Sequence, residues 1–159
     1  QAKHVGKIVI GCKHVDVSMP AKSHYSNVIT GGMGSLGSLI GSWLAAEACA
    51  SLTLCGRSGR AAAGAGDSSQ RLSGLVRDAP FVALTRADTA TREYPLSSLG
   101  HGARALVHRL FHAGGVLRDA TIPNQTAAAA RQVWSPKLGS LASSGVSVAC
   151  SPVLQAVLF

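Results

Sequence analysis

Aromatic residues are scarce. Three Phe, two Trp and two Tyr make up 4% of the 159 residues, although hydrophobic residues reach 47%. Such a core must be filled by Ala, Val and Leu, which suits a parallel sheet buried beneath helices. No apolar run of about 18 residues occurs, because Glu47 and its polar neighbours interrupt the best candidate, and no membrane span is expected. Nor do the first residues, with Lys3, His4 and Lys7, read as a secretory leader. The four cysteines (Cys12, Cys49, Cys55 and Cys150) lack Cys-x-x-Cys spacing, so reduced thiols in an intracellular, cytoplasmic protein are expected. His4, His14 and His24 miss helical ligand spacing, and no metal site is expected. Acids are short as well: seven Asp and Glu against fifteen Lys and Arg leave a net charge of +8. The excess is scattered from Lys3 to Lys137 without a run or interleaved aromatics. That favours a phosphate-bearing ligand over nucleic acid.

What the chain does have is a glycine cluster behind a β-branched run. Asn27-Val28-Ile29-Thr30-Gly31-Gly32-Met33-Gly34-Ser35-Leu36-Gly37 reads as strand, tight turn and helix start. Leu36, Leu39, Ile40, Trp43 and Leu44 then recur at helical spacing and are expected to be the buried face. Gly32 is expected to permit the turn, Gly34 to let a pyrophosphate approach the backbone, and Gly37 to let the helix pack closely. The free N–H groups at that helix start form an anion site.

Taken in order, residues 1–10 read as a strand-like piece and 11–24 as a linker. Strands are expected at 28–30, 52–55, 81–84, 105–111 and 153–159. Helices are expected at 36–50, 68–76 and weakly 97–103, with an alanine-rich helix after Asn124 that carries Val133 and Trp134. Pro136-Lys137-Leu138 falls in or near its continuation. Residues 61–67 and 143–151 read as loops. The alternation predicts an α/β, doubly wound parallel sheet of about five strands in the order 3-2-1-4-5.

The end of the second strand, Gly56-Arg57-Ser58-Gly59, stands where NAD sites usually hold a carboxylate for the ribose 2′-OH. A cation and a hydroxyl there suit a 2′-phosphate, hence NADP. Asp88, in Ala87-Asp88-Thr89 after the third strand, either accepts a bond from an adenine amino group or caps the next helix. The chain begins at Gln1 and ends in an apolar strand without a turn, and is expected to be a fragment of a longer protein.

Four motifs occur in order: Thr30-Gly31-Gly32-Met33-Gly34-Ser35-Leu36-Gly37, Gly56-Arg57-Ser58-Gly59, His112-Ala113-Gly114-Gly115-Val116-Leu117-Arg118-Asp119 and Pro136-Lys137-Leu138. Together they resemble the β-ketoacyl reductase (ketoreductase) domain of type I polyketide synthases and animal-type fatty acid synthases, a short-chain dehydrogenase/reductase. The match covers about residues 25–159, the amino-terminal part of such a domain. Residues 1–10 resemble, more weakly, the tail of a preceding enoyl reductase domain.

The resemblance implies a Rossmann-like fold and NADPH. Thr30, Gly32, Met33, Gly34, Ser35, Leu36 and Gly37 would hold the pyrophosphate, and Arg57 and Ser58 the 2′-phosphate. Ala87, Asp88 and Thr89 would flank the adenine, and His112, Ala113 and Gly114 the nicotinamide ribose. Lys137 matches the lysine of the family's catalytic Ser-Tyr-Lys-Asn set. Leu117-Arg118-Asp119 resembles the Leu-x-Asp loop linked with a D-hydroxy product. The implied substrate is a β-ketoacyl thioester on an acyl carrier protein, among neighbouring synthase domains. Gly114 departs from the family, which often has Ala there. The family's Ser and Tyr would follow Phe159, so the fragment is expected to be inactive alone. A non-catalytic dinucleotide-binding or structural domain is the alternative.

Overall fold

The computed structural model describes residues 25–47, 51–60, 66–89, 107–139 and 155–158. The pieces read at 1–10, 11–24, 97–103 and 143–151 lie outside them, as does most of 61–67. Five strands are present: β1 (Ser26–Thr30), β2 (Ser51–Gly56), β3 (Val82–Arg86), β4 (Arg109–His112) and β5 (Gln155–Leu158). The helices are α1 (Ser35–Ala46), α2 (Gly66–Asp78) and α3 (Ala127–Trp134).

The strands form one parallel sheet in the order β3-β2-β1-β4-β5, as the alternation predicts. From β1 the chain steps outward to β2 and β3, then returns to the other side of β1 for β4 and β5. This is a Rossmann-like, doubly wound α/β sheet. Every residue of β1 is buried, as a strand covered on both faces requires. Ile29, Leu52, Leu54 and Phe111 share one core cluster with Leu44 of α1 and with Leu72 and Leu75 of α2. Val28, Cys55, Ala87, Val107 and Leu110 form a second.

Helix α1 corrects its sequence reading. Leu36, Leu39 and Trp43 are 43%, 53% and 56% exposed, while Gly37, Ser38, Gly41 and Leu44 are the buried residues. The cause is distance. A Cβ on Gly37 would run into the Gly31 carbonyl oxygen and come 2.6 Å from the Gly32 Cα. One on Gly41 would sit 3.2 Å from the Leu54 side chain. An axis held that close leaves room only for small residues on the contact side.

Helix α2 starts before the expected position, taking in Gly66 and Asp67. Asp67 lies in its first turn, where a carboxylate complements the helix dipole, and pairs with Arg71 at 3.8 Å. Helix α3 is capped by Thr126, whose hydroxyl accepts from the Ala129 N–H at 3.1 Å, and buries no residue. It continues into a π-helical turn, Ser135–Gly139, at Pro136, which has no N–H to donate.

Two glycine substitutions should separate contact from conformational freedom. Gly37→Ala should destabilise the chain by about 1–3 kcal/mol through overpacking. Gly74→Ala, whose Cβ would find among the described residues only Asp78 Oδ2 at 4.0 Å inside α2, should stabilise it by about 0.5–1 kcal/mol. Urea unfolding midpoints decide both; equal shifts would refute the contact argument.

Candidate functional site

Reversal of strand order at β1 leaves a crevice between the loops that follow β1 and β4, where open α/β sheets receive ligands. The two loops touch. Gly31 has φ +69°, and a Cβ on it would lie 2.6 Å from both the Ala113 oxygen and the Gly114 nitrogen. The Ala113 N–H donates to the Thr30 carbonyl at 2.9 Å. Gly31, which sequence reading left without a role, is therefore the residue that permits the turn. Gly32 does something else: its Cβ would strike the Leu54 Cα of β2 at 2.9 Å, and its N–H donates to the Cys55 carbonyl at 2.9 Å. The Gly31-Gly32 pair marks the turn in the sequence, but spacing alone could not say which glycine turns.

Above this crevice lies a cavity of about 680 Å³. Of the residues proposed from sequence, Met33, Gly34, Arg57, Ser58, Ala87, Asp88, Thr89, Ala113 and Gly114 line it. Thus the exits of β1, β2, β3 and β4 converge on one space. Arg60, Gly115 and Pro136, given no role from sequence, line it too. Gly34 is exposed, and among the described residues the only atom a Cβ there would meet is the Gly31 oxygen at 3.3 Å. Ser35 and Leu36, at the helix start beside it, are exposed and outside the lining. Gly32 and Gly37 are buried supports.

Thr30 and His112 lie at adjacent strand ends, with Thr30 Oγ1 and His112 Nδ1 2.5 Å apart. Among the described residues no hydrogen bond of normal geometry reaches the buried His112 Nε2, although the Pro136 backbone lies near the ring. Burial, seconded by the charge of Lys137, pushes the His112 pKa below its ordinary value, against an opposing pull from the Pro136 backbone. The imidazole is thereby held neutral at pH 7. Lys137 is exposed on the π-helical turn; a Cβ on Gly115 would be 3.7 Å from its Cε. It therefore stands beside the cavity on the β4 side, next to Pro136. Cys55 is no nucleophile, because burial pushes its thiol up to about 12. The departure at Gly114 is small but tight: a Cβ would be 3.3 Å from His112 Cε1. Leu117, Arg118 and Asp119 line a separate depression of about 280 Å³ against α3, where Arg118 Nε donates to Gln132 Oε1 at 2.7 Å.

The family model described as the KR domain matches residues 26–145. This chain belongs to the KR (ketoreductase) domain family. It is 32% identical over 143 residues to the pikromycin polyketide synthase component PikAII of Streptomyces venezuelae, covering 87% of this chain and 4% of that protein. It is also 32% identical over 151 residues to a phenolphthiocerol/phthiocerol polyketide synthase protein of Mycobacterium tuberculosis, covering 86% of this chain and 6% of that protein. A solved A1-type ketoreductase superposes with a TM-score of 0.71 at 28% identity, over 87% of this chain and 29% of its own. The KR chain thus spans a small part of each relative. Among the described residues no helix is long and apolar enough to cross a membrane, and no group of three His, Cys, Asp or Glu could hold a metal ion.

The buried neutral His112 gives the KR domain a pH signature. A histidine with a depressed folded pKa binds fewer protons than the unfolded chain below 6.5. Its contribution is fully present above pH 6.5 and is lost as pH falls toward the folded value. Stability from urea unfolding should therefore rise with pH up to 6.5, and His112→Asn should flatten part of that slope. An unchanged slope would place the proton linkage elsewhere.

Proposed function

We propose that this chain supplies the NADPH-binding portion of a β-ketoacyl reductase within a polyketide or fatty acid synthase. The carrying observation is the cavity at the strand-order reversal, lined by the glycine loop at one side, Arg57 and Asp88 at another, and Ala113 and Gly114 at the third. Its size suits a dinucleotide, and the glycine loop offers backbone where a side chain would block approach. Gly31 and Gly34 would face the pyrophosphate, with Thr30, Gly32, Met33, Ser35, Leu36 and Gly37 shaping that loop. Arg57 and Ser58 would take the 2′-phosphate end. Ala87, Asp88 and Thr89 would flank the adenine. His112, Ala113 and Gly114 would line the nicotinamide ribose.

When bound, NADPH would supply a hydride to the β-carbon of an acyl thioester, the carbonyl oxygen taking a proton to become the hydroxyl. This chain's own residues bind and orient. His112, buried against Thr30, would support the β4 exit from below, while Lys137 would lower the pKa of a proton-donating hydroxyl at the carbonyl oxygen. The substrate would arrive on an acyl carrier protein among neighbouring synthase domains in the cytoplasm. Residues 1–10 and 11–24 would be the tail of an enoyl reductase domain and a linker, with 25–159 the amino-terminal part of the reductase domain.

Fluorescence titration of the chain tests the reading. NADPH should bind more tightly than NADH by roughly 10–150-fold, equivalent to one charge-assisted contact of about 1.5–3 kcal/mol. Arg57→Asp should reverse the preference, and Gly34→Val should abolish binding of both while far-UV circular dichroism is retained. Unchanged affinities in both variants would remove the cofactor from this cavity.

A further inference from the structure

The turn after β2 is more built than its motif requires. Gly59 takes φ +70°, and its N–H donates to the Gly56 carbonyl at 3.1 Å. The Gly56 carbonyl also accepts from the Ala87 N–H at 3.0 Å. Arg86 Nε donates to the Arg57 carbonyl at 3.2 Å from the neighbouring strand. Within this frame the Ser58 hydroxyl is already engaged. It donates to the Arg60 carbonyl at 2.7 Å and accepts from the Arg60 N–H at 3.4 Å. Its proton is committed to the backbone, so it has none to give a phosphate without breaking that link.

Arg60 is exposed, lines the same cavity as Arg57, and forms no ion pair among the described residues. It also borders a second depression of about 480 Å³ under α2, but among the described residues no carboxylate lines that one. Of the guanidinium groups at the β2 exit, Arg86 is tied to the Arg57 carbonyl and lies outside the cavity lining, which leaves Arg57 and Arg60 to attract an anion there. Guanidinium groups bind phosphate by paired, directional hydrogen bonds.

We propose that Arg60 is a specificity-determining residue, the second cation for a ribose 2′-phosphate, and that Ser58 is a positioning residue whose hydroxyl staples the turn that presents it. This deepens the reading of the cavity as a dinucleotide site and rests on it. Ser58 thereby changes from phosphate ligand to backbone staple, and the contact expected of it passes to Arg60.

The test is titration of the full chain with NADPH and with NADH, folding being checked by circular dichroism. Arg60→Gln should raise the NADPH Kd about tenfold and leave that of NADH unchanged. Ser58→Ala should produce a similar loss, Ser58→Thr should restore it, and the Ser58→Ala/Arg60→Gln double variant should be no worse than Arg60→Gln. A wild-type NADPH:NADH ratio in Arg60→Gln overturns the proposal. So do losses that multiply in the double variant, which would make Ser58 a direct ligand. Arg57→Ala distinguishes the two levels. If it alone lowers the ratio, only the Arg60 assignment falls. If neither arginine matters, or no dinucleotide binds, the dinucleotide reading falls with it.

Discussion

The rest of the structure depends on one near-contact of backbones around Gly31. Its own missing Cβ admits the β4 exit at Ala113 and Gly114, and the missing Cβ of Gly37 admits the start of α1 to the same point. Gly32 closes against β2 in the same way. Three elements thus meet at distances no side chain permits, and each pays in freedom of sequence. Small residues are imposed on the contact side of α1, the first turn of that helix is aimed over the crevice, and the exits of β1 and β4 form a joined floor.

That constraint decides what was legible. The sheet order followed from alternating strand and helix patterns, because parallel strands buried on both faces appear as short apolar runs whatever surrounds them. The membership of the cavity lining was also largely legible, since its glycines, Arg57 and Asp88 sit at strand exits. The face of α1 was not. Periodicity weighs how apolar Leu36, Leu39 and Trp43 are, whereas the fold selects by how near the axis must come. Likewise Arg60 lies outside any motif; it joins the cavity through a turn set by Gly59 and hydrogen bonds that spacing does not encode. The π-helical turn carrying Lys137 depends on a lost N–H at Pro136, which marked an interruption without fixing its form.

Charge in the site is divided. Arg57 and Arg60 stand at its exposed β2 margin, and Lys137 stands beside its β4 margin. Beneath the joined exits of β1 and β4, Thr30 and His112 are buried and bonded to each other, outside the cavity lining. The division follows from burial: an exposed guanidinium keeps its hydration until a ligand replaces it, while a buried imidazole loses its proton instead.

The position of β1 has a kinetic consequence. On one side it pairs with β2, 25 residues away at Ser26 and Ser51, and on the other with β4, 82 residues away at Thr30 and His112. Closing the shorter β1–α1–β2 loop costs less entropy, so the glycine loop can form while half of its crevice is still missing. The walls become a site only when the far more distant pairing with β4 is made. A ligand gripping both walls would therefore hold shut the longer of these two loops, slowing unfolding by acting on the contact that is harder to remake.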